Sequence, residues 1–168
     1  MVVSSKAARW VFAAVGIACV GLLTAAYYAQ YGPSQLQPCP LCILQRYVYM
    51  AIALLALGAA VAGPARVGTM VVASALGLLA ATGAALAIWH VSKGASMTTC
   101  DTDPIGLFVY GLPMRNWWPE FLSAYGGCAD KIPPVFGVSI PMWSLLWFAA
   151  LFVVCEFTFV KLLKGARH

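Results

Sequence analysis

Four long apolar runs divide this chain, at about 10–28, 43–62, 67–90 and 141–160. No charged residue lies between Arg9 and Arg46, and the apolar part of that stretch meets the roughly 20-residue length a helix needs to cross hydrocarbon. The second run starts with Arg46 one turn inside it and ends at Gly63-Pro64, a helix-stopping pair. Arg66 occupies the short turn that follows. Gly68, Ser74, Gly77 and Gly83 punctuate the third run, and small residues let helices approach closely in lipid. Four membrane-spanning helices are therefore expected, with both termini on one side. Two loops then lie opposite, at about 29–42 and 91–140.

Composition agrees with this pattern. Hydrophobic residues make up 62% of the chain and charged residues 9%, against roughly 45–50% and about 25% in soluble domains. The formal net charge is +5, from ten Lys and Arg against five Asp and Glu. Position decides what that excess means, and it points to lipid and not to nucleic acid. Lys6, Arg9, Arg66, Lys161, Lys164 and Arg167 flank the side of the termini, whereas the loop-side cations are matched by Asp101, Asp103, Glu120 and Asp130. The positive-inside rule then makes the termini cytoplasmic. The first run exceeds the 7–15 residues of a signal-peptide core, so it is expected to remain as a span. No internal repeat or linker is evident, and residues 1–168 read as one integral membrane domain.

Of six cysteines, Cys19 and Cys155 fall inside spans, where a thiol behaves as a small buried hydrophobe. Cys39, Cys42, Cys100 and Cys128 fall in or beside the two loops, on the face where an oxidising compartment lets disulfides persist. Four cysteines allow three connectivities; two local pairs are the simplest resting state, and crossed pairs are what a relay would pass through. Cys39 and Cys42, at i and i+3, can close or open with little backbone movement. Cys42 falls in the first turn of the second span, where helix amides and the macrodipole favour a thiolate, and Arg46 adds a positive charge one turn further on. A structural staple is the plainer reading of this pair. Zinc binding is disfavoured because neither loop contains a histidine to complete a mixed site, so no metal is expected.

A static bridge between Cys100 and Cys128, 27 residues apart in the intervening count, would constrain the unfolded chain by roughly 3–4 kcal/mol. Pro104, Gly106, Gly111, Pro113, Pro119, Gly126 and Gly127 break up that segment, which suits an exchanging disulfide better than a scaffold. Trp117, Trp118, Phe121 and Leu122 have near-helical spacing and predict a short helix on the membrane surface. Arg46, a cation at membrane depth, marks a functional site by default, with snorkelling to the headgroups as its alternative. His90 ends the third span on the same side, and is either a hydrogen-bonding group for a ligand or an interfacial residue facing water. Glu156 lies near Lys161 at the cytoplasmic end and is assigned no chemistry.

Cys39-Pro40-Leu41-Cys42-Ile43-Leu44-Gln45-Arg46 at the start of a second span, with Cys100 and Cys128 in the last external loop and Pro141-Met142-Trp143 opening the fourth span, resembles the DsbB family of bacterial membrane proteins. The resemblance implies an all-α four-helix bundle in the bacterial inner membrane, with a long periplasmic loop carrying a short membrane-surface helix. It implies a quinone-dependent oxidoreductase that reoxidises a periplasmic thioredoxin-fold, DsbA-like dithiol protein and passes two electrons to ubiquinone or menaquinone. On that resemblance Cys100 is attacked by the partner's thiolate, Cys128 is released, Cys39 exchanges with Cys128, and Cys42 meets the quinone. Arg46 polarises a quinone oxygen, His90 assists, and Gln45 has a supporting place. Two other readings compete. A reductase of the vitamin K epoxide type is also a four-helix bundle, but its loop cysteines precede its Cys-x-x-Cys. A noncatalytic scaffold stapled by its disulfides leaves Arg46 beside Cys42 unexplained.

Overall fold

In a computed structural model the described residues are 5–93, 104–126 and 135–164. They form six α-helices and one 3-10 turn: α1 Ser5–Tyr31, α2 Pro40–Ala62, α3 Arg66–Lys93, α4 Pro104–Tyr110, the turn Pro113–Asn116, α5 Pro119–Leu122 and α6 Ile140–Lys164. Four of these, α1, α2, α3 and α6, are long and apolar enough to cross a membrane, as the four runs required. The protein is a four-helix membrane bundle.

Local chemistry sets the helix ends. Cys39 caps α2 and Pro40 occupies its first turn, where the missing proline N–H costs no hydrogen bond. Gly63 ends α2 in the left-handed conformation, φ 58°, its N–H bonded to Ala59 O at 3.0 Å. Arg9 Nε donates to Ala60 O at 2.9 Å, and Arg66 Nη2 donates to Leu162 O at 2.9 Å. The two cations that help set orientation thus also satisfy carbonyls at the ends of α2 and α6, where the helix dipole favours positive charge.

The helices pack as α1 on α2, α2 on α3 and α3 on α6, while α1 and α6 make little direct contact. The core between them contains Phe12, Cys19, Ile52, Leu76, Phe148 and Cys155, so Cys19 and Cys155 do pack as hydrophobes. Side chains such as Leu54, Val61, Val71 and Leu78 point outward, as they must where the solvent is hydrocarbon. At the α3–α6 contact, a Cβ on Gly83 would overlap the Phe148 ring, and one on Gly77 would meet the Glu156 carboxylate. Two of the small residues seen in the third run therefore admit α6.

Two details differ from the pattern-based expectation. Helix α1 continues to Tyr31, which carries Gln30 and Tyr31 on the helix and not in the loop. The aromatic group in the long loop is not one amphipathic helix: Pro113 and Pro119 each open a separate short element, and Trp118 between them is non-helical, φ −146° and ψ 72°. Proline disfavours helical backbone in the residue before it. Phe121 and Leu122 turn inward, whereas Trp117 and Trp118 stay exposed. A further short helix, α4, packs on α2.

Candidate active site at the start of the second span

Cys39 adopts extended backbone, φ −81° and ψ 166°, and its Sγ accepts from Cys42 N–H at 3.4 Å. Capping of this kind turns the first cysteine back over the helix start. The two sulfurs are 3.0 Å apart. Closing a disulfide needs an approach of about 1 Å, to about 2.05 Å. Cys39 is buried and Cys42 half-buried. The hydrogen bond to Cys42, together with burial, pushes the Cys39 thiol well above its ordinary pKa, so Cys39 is the protonated donor of the pair.

His90, in the last turn of α3, is buried and not facing water. Its Nε2 lies 3.6 Å from Cys39 Sγ and its Nδ1 lies 3.4 Å from Gln45 Nε2. Gln45 is one turn beyond Leu41 on α2 and is itself buried. The histidine that neither loop contains is thus supplied to the cysteine pair by a helix.

Arg46 is 7% exposed, which excludes snorkelling. Its Nη1 donates to Gln30 Oε1 and to Phe121 O, both at 2.8 Å, its Nη2 approaches Ala26 O at 3.5 Å, and the guanidinium sits 4.6 Å from the centroid of the Phe121 ring. Nε–H has no acceptor among the described residues. The same cluster clamps the long loop: Gln30 Nε2 and Tyr31 OH both donate to Glu120 O, at 2.8 and 2.6 Å. Further along, the N–H groups of Tyr125 and Gly126 both donate to Pro38 O, at 3.0 and 3.1 Å. A side chain at position 126 would run into the Gln37 carbonyl, so this close approach requires glycine.

A cavity of about 480 Å³ lies where α1 and α6 fail to meet. Its walls are mostly apolar, from Leu22, Ala26, Ile140, Trp143 and Trp147, and its polar rim is Cys42, Gln45, Arg46, Tyr49, His90 and Ser144. Tyr49 stacks on Phe148, centroids 4.1 Å apart, and its hydroxyl contacts Ser144. A few convergent polar groups on an apolar concavity are the usual make-up of a small-molecule site.

Among the residues singled out in the sequence, Cys39, Cys42, Gln45, Arg46 and His90 come together here. Cys100 and Cys128 lie outside the described residues. Gln30, Tyr31 and Tyr49 were not anticipated, and Phe121 was expected only on a membrane-surface helix. A signal existed for Gln30: a buried arginine needs acceptors, and Gln30 is an uncharged amide at the loop end of the neighbouring span.

The model of the disulfide bond formation protein DsbB family matches residues 8–158. This chain belongs to the DsbB family. Family relatives include disulfide bond formation protein B of Ralstonia nicotianae, 37% identical over 145 residues, covering 85% of this chain and 88% of that protein. Disulfide bond formation protein B 2 of Burkholderia lata is 38% identical over 151 residues, covering 89% and 88%. Disulfide bond formation protein B of Cupriavidus necator is 34% identical over 162 residues, covering 95% and 96%. DsbB membership identifies a membrane protein of disulfide bond formation and sets aside the noncatalytic scaffold.

Proposed function

We propose that this DsbB-family protein reoxidises a periplasmic thioredoxin-fold dithiol protein of the DsbA type and delivers the electrons to a membrane quinone. In this reading it sits in the bacterial inner membrane with both termini cytoplasmic and both cysteine loops periplasmic. The observation that carries the proposal is the placing of Cys42 on the wall of an apolar cavity that lies between two loosely apposed spans, beside buried Arg46 and His90.

The partner's thiolate attacks the Cys100–Cys128 disulfide at Cys100 and releases Cys128. The partner's second thiol then resolves that mixed disulfide, which leaves Cys100 and Cys128 as thiols and the partner oxidised. Cys128 in turn attacks Cys39 of the Cys39–Cys42 disulfide, forming Cys39–Cys128 and releasing Cys42. The tether between Pro38 and Gly126 supports that exchange, because Cys128 is only two positions beyond Gly126, a reach of about 7 Å at most. Cys100 resolves the Cys39–Cys128 bond at Cys128, which re-forms Cys100–Cys128 and leaves Cys39 and Cys42 as thiols. His90 Nε2, 3.6 Å from Cys39 Sγ, is placed to take or return a thiol proton. Arg46 lines the cavity, its Nε–H without an acceptor among the described residues offers a donor there, and the apolar walls keep water from competing for it.

The donor set fits a quinone: an apolar concavity for the ring, cationic and imidazole donors for its oxygens, and a thiol at the wall. A quinone bound there supplies a two-electron, two-proton acceptor, ubiquinone or menaquinone. The net change is one partner dithiol converted to a disulfide, with two electrons and two protons passed on.

Purified protein in lipid nanodiscs, given a reduced thioredoxin-fold dithiol protein and a soluble short-chain quinone, should reduce the quinone one-for-one with partner disulfide formed. Cys100→Ala should stop partner oxidation while a small dithiol still reduces Cys39 and Cys42. No quinone reduction by the intact protein would refute the proposal.

A further inference from the structure

We propose that, once reduced, Cys39, Cys42 and His90 form a three-ligand site for a thiophilic divalent cation of the zinc class, and that its occupancy blocks thiol–disulfide exchange. This rests on the proposed function only in requiring that the pair reach the dithiol state. Three ligand atoms, the two Sγ atoms and a ring nitrogen of His90, all lie within 4.8 Å of one another. They come from the start of α2 and the end of α3, two helices that pack directly together.

The distances suit a tetrahedral centre. With Zn–S near 2.3 Å and Zn–N near 2.0–2.1 Å, tetrahedral angles place sulfur and nitrogen about 3.6 Å apart and the two sulfurs about 3.8 Å apart. Cys39 Sγ and His90 Nε2 are already 3.6 Å apart. The sulfurs, at 3.0 Å, need to open by about 0.8 Å, within reach of a small side-chain rotation. Two thiols lose their protons to solvent on binding, so the ligands carry two negative charges against a divalent cation.

A metal-ligating imidazole holds its second nitrogen in a hydrogen bond. Gln45 is at His90 Nδ1, and a side-chain amide can present either its NH₂ or its carbonyl. With the carbonyl turned inward it accepts from Nδ1–H and leaves Nε2 free for the metal. Cys42 lines the cavity, which gives the cation an entry path and a fourth position for water.

The metal would oppose turnover, because a zinc-held thiolate pair is neither a free nucleophile nor able to close a disulfide.

The test uses full-length protein with Cys100→Ser and Cys128→Ser, reduced and in detergent, with Co2+ as the spectroscopic probe and no quinone or partner present. One equivalent should produce a thiolate-to-cobalt charge-transfer band that Zn2+ bleaches. The band should be lost when the Cys39–Cys42 pair is oxidised, a comparison that needs no further substitution. His90→Ala should weaken binding at least about tenfold, as should Gln45→Ala, by analogy with the 10–100-fold cost of losing an outer-shell partner. Zn2+ should also slow the reaction of the reduced pair with a small aromatic disulfide at least tenfold. No charge-transfer band in the reduced protein, a band that persists after oxidation, or affinity unchanged by His90→Ala would overturn the site. An unchanged rate with the disulfide would overturn the block. Because none of these readouts involves quinone, failure of the electron-transfer reading would appear separately, as absent quinone reduction by metal-free protein.

Discussion

Gln30→Leu tests whether the long loop is held over the cysteine pair by the buried polar cluster. Gln30 accepts from Arg46 at 2.8 Å and donates to Glu120 O at 2.8 Å, so leucine removes both bonds while keeping a similar side-chain volume. The bond to Glu120 is a neutral one of about 1 kcal/mol, and the Arg46 bond is charge-assisted, about 1.5–3 kcal/mol. Only part of the second acts on the loop, because Arg46 keeps its bond to Phe121 O. The loop should therefore lose about 2 kcal/mol of docking energy, from a sum of about 1 for Glu120 and about 1 for the loosened guanidinium. At about 1.4 kcal/mol per tenfold, that is roughly a thirtyfold fall in hydrogen-exchange protection. The reporters are the amides of Phe121, Leu122, Ser123, Tyr125 and Gly126, each bonded within the loop or to Pro38 O. Hydrogen exchange read by mass spectrometry in nanodiscs should show the fall over 121–126 and little change in the middle of α2 and α3. Protection of 121–126 within threefold of the parent protein would refute the clamp. A uniform loss across the spans would show that Gln30 supports the bundle and not the loop.

The cysteine pair and the α3–α6 contact offer further checks. In the reduced protein a small alkylating agent at neutral pH should modify Cys42 before Cys39: Cys39 is 2% exposed and its raised pKa leaves it less thiolate than a free thiol at any pH below that value. Raising the pH through the ordinary thiol range should gain Cys42 little, because the helix start and Arg46 already favour its thiolate, while Cys39 stays slow, and peptide mapping that finds Cys39 modified first would contradict the donor assignment. Gly83→Ala places a methyl group against the Phe148 ring and should destabilise the bundle by about 1–3 kcal/mol, the usual cost of overpacking. Reversible unfolding in mixed micelles measures this, and an unchanged midpoint would mean that α6 shifts freely.

The four spans could be read from the chain because hydrocarbon imposes one length and one composition on any helix that crosses it. The Gly63 stop and the small residues facing α6 were legible locally: each acts through its own backbone or its own missing side chain. Cys39-Pro40-Leu41-Cys42 likewise brought two sulfurs to within 3.0 Å of each other by spacing alone. The long loop was read less well, because two prolines outweighed the near-helical spacing of its aromatic residues.

What only the tertiary structure decided is which groups meet the pair and the arginine. His90 reaches Cys39 across 51 positions, and Arg46 finds Gln30 across 16 and the Phe121 carbonyl across 75. Sequence alone required that a cation at membrane depth have partners, since an unpaired charge there is costly. It did not say which partners, nor that a helix would supply the histidine absent from both loops. Those choices depend on how α3 packs against α2 and where the loop folds back, and contacts of that kind leave no local period or spacing to read.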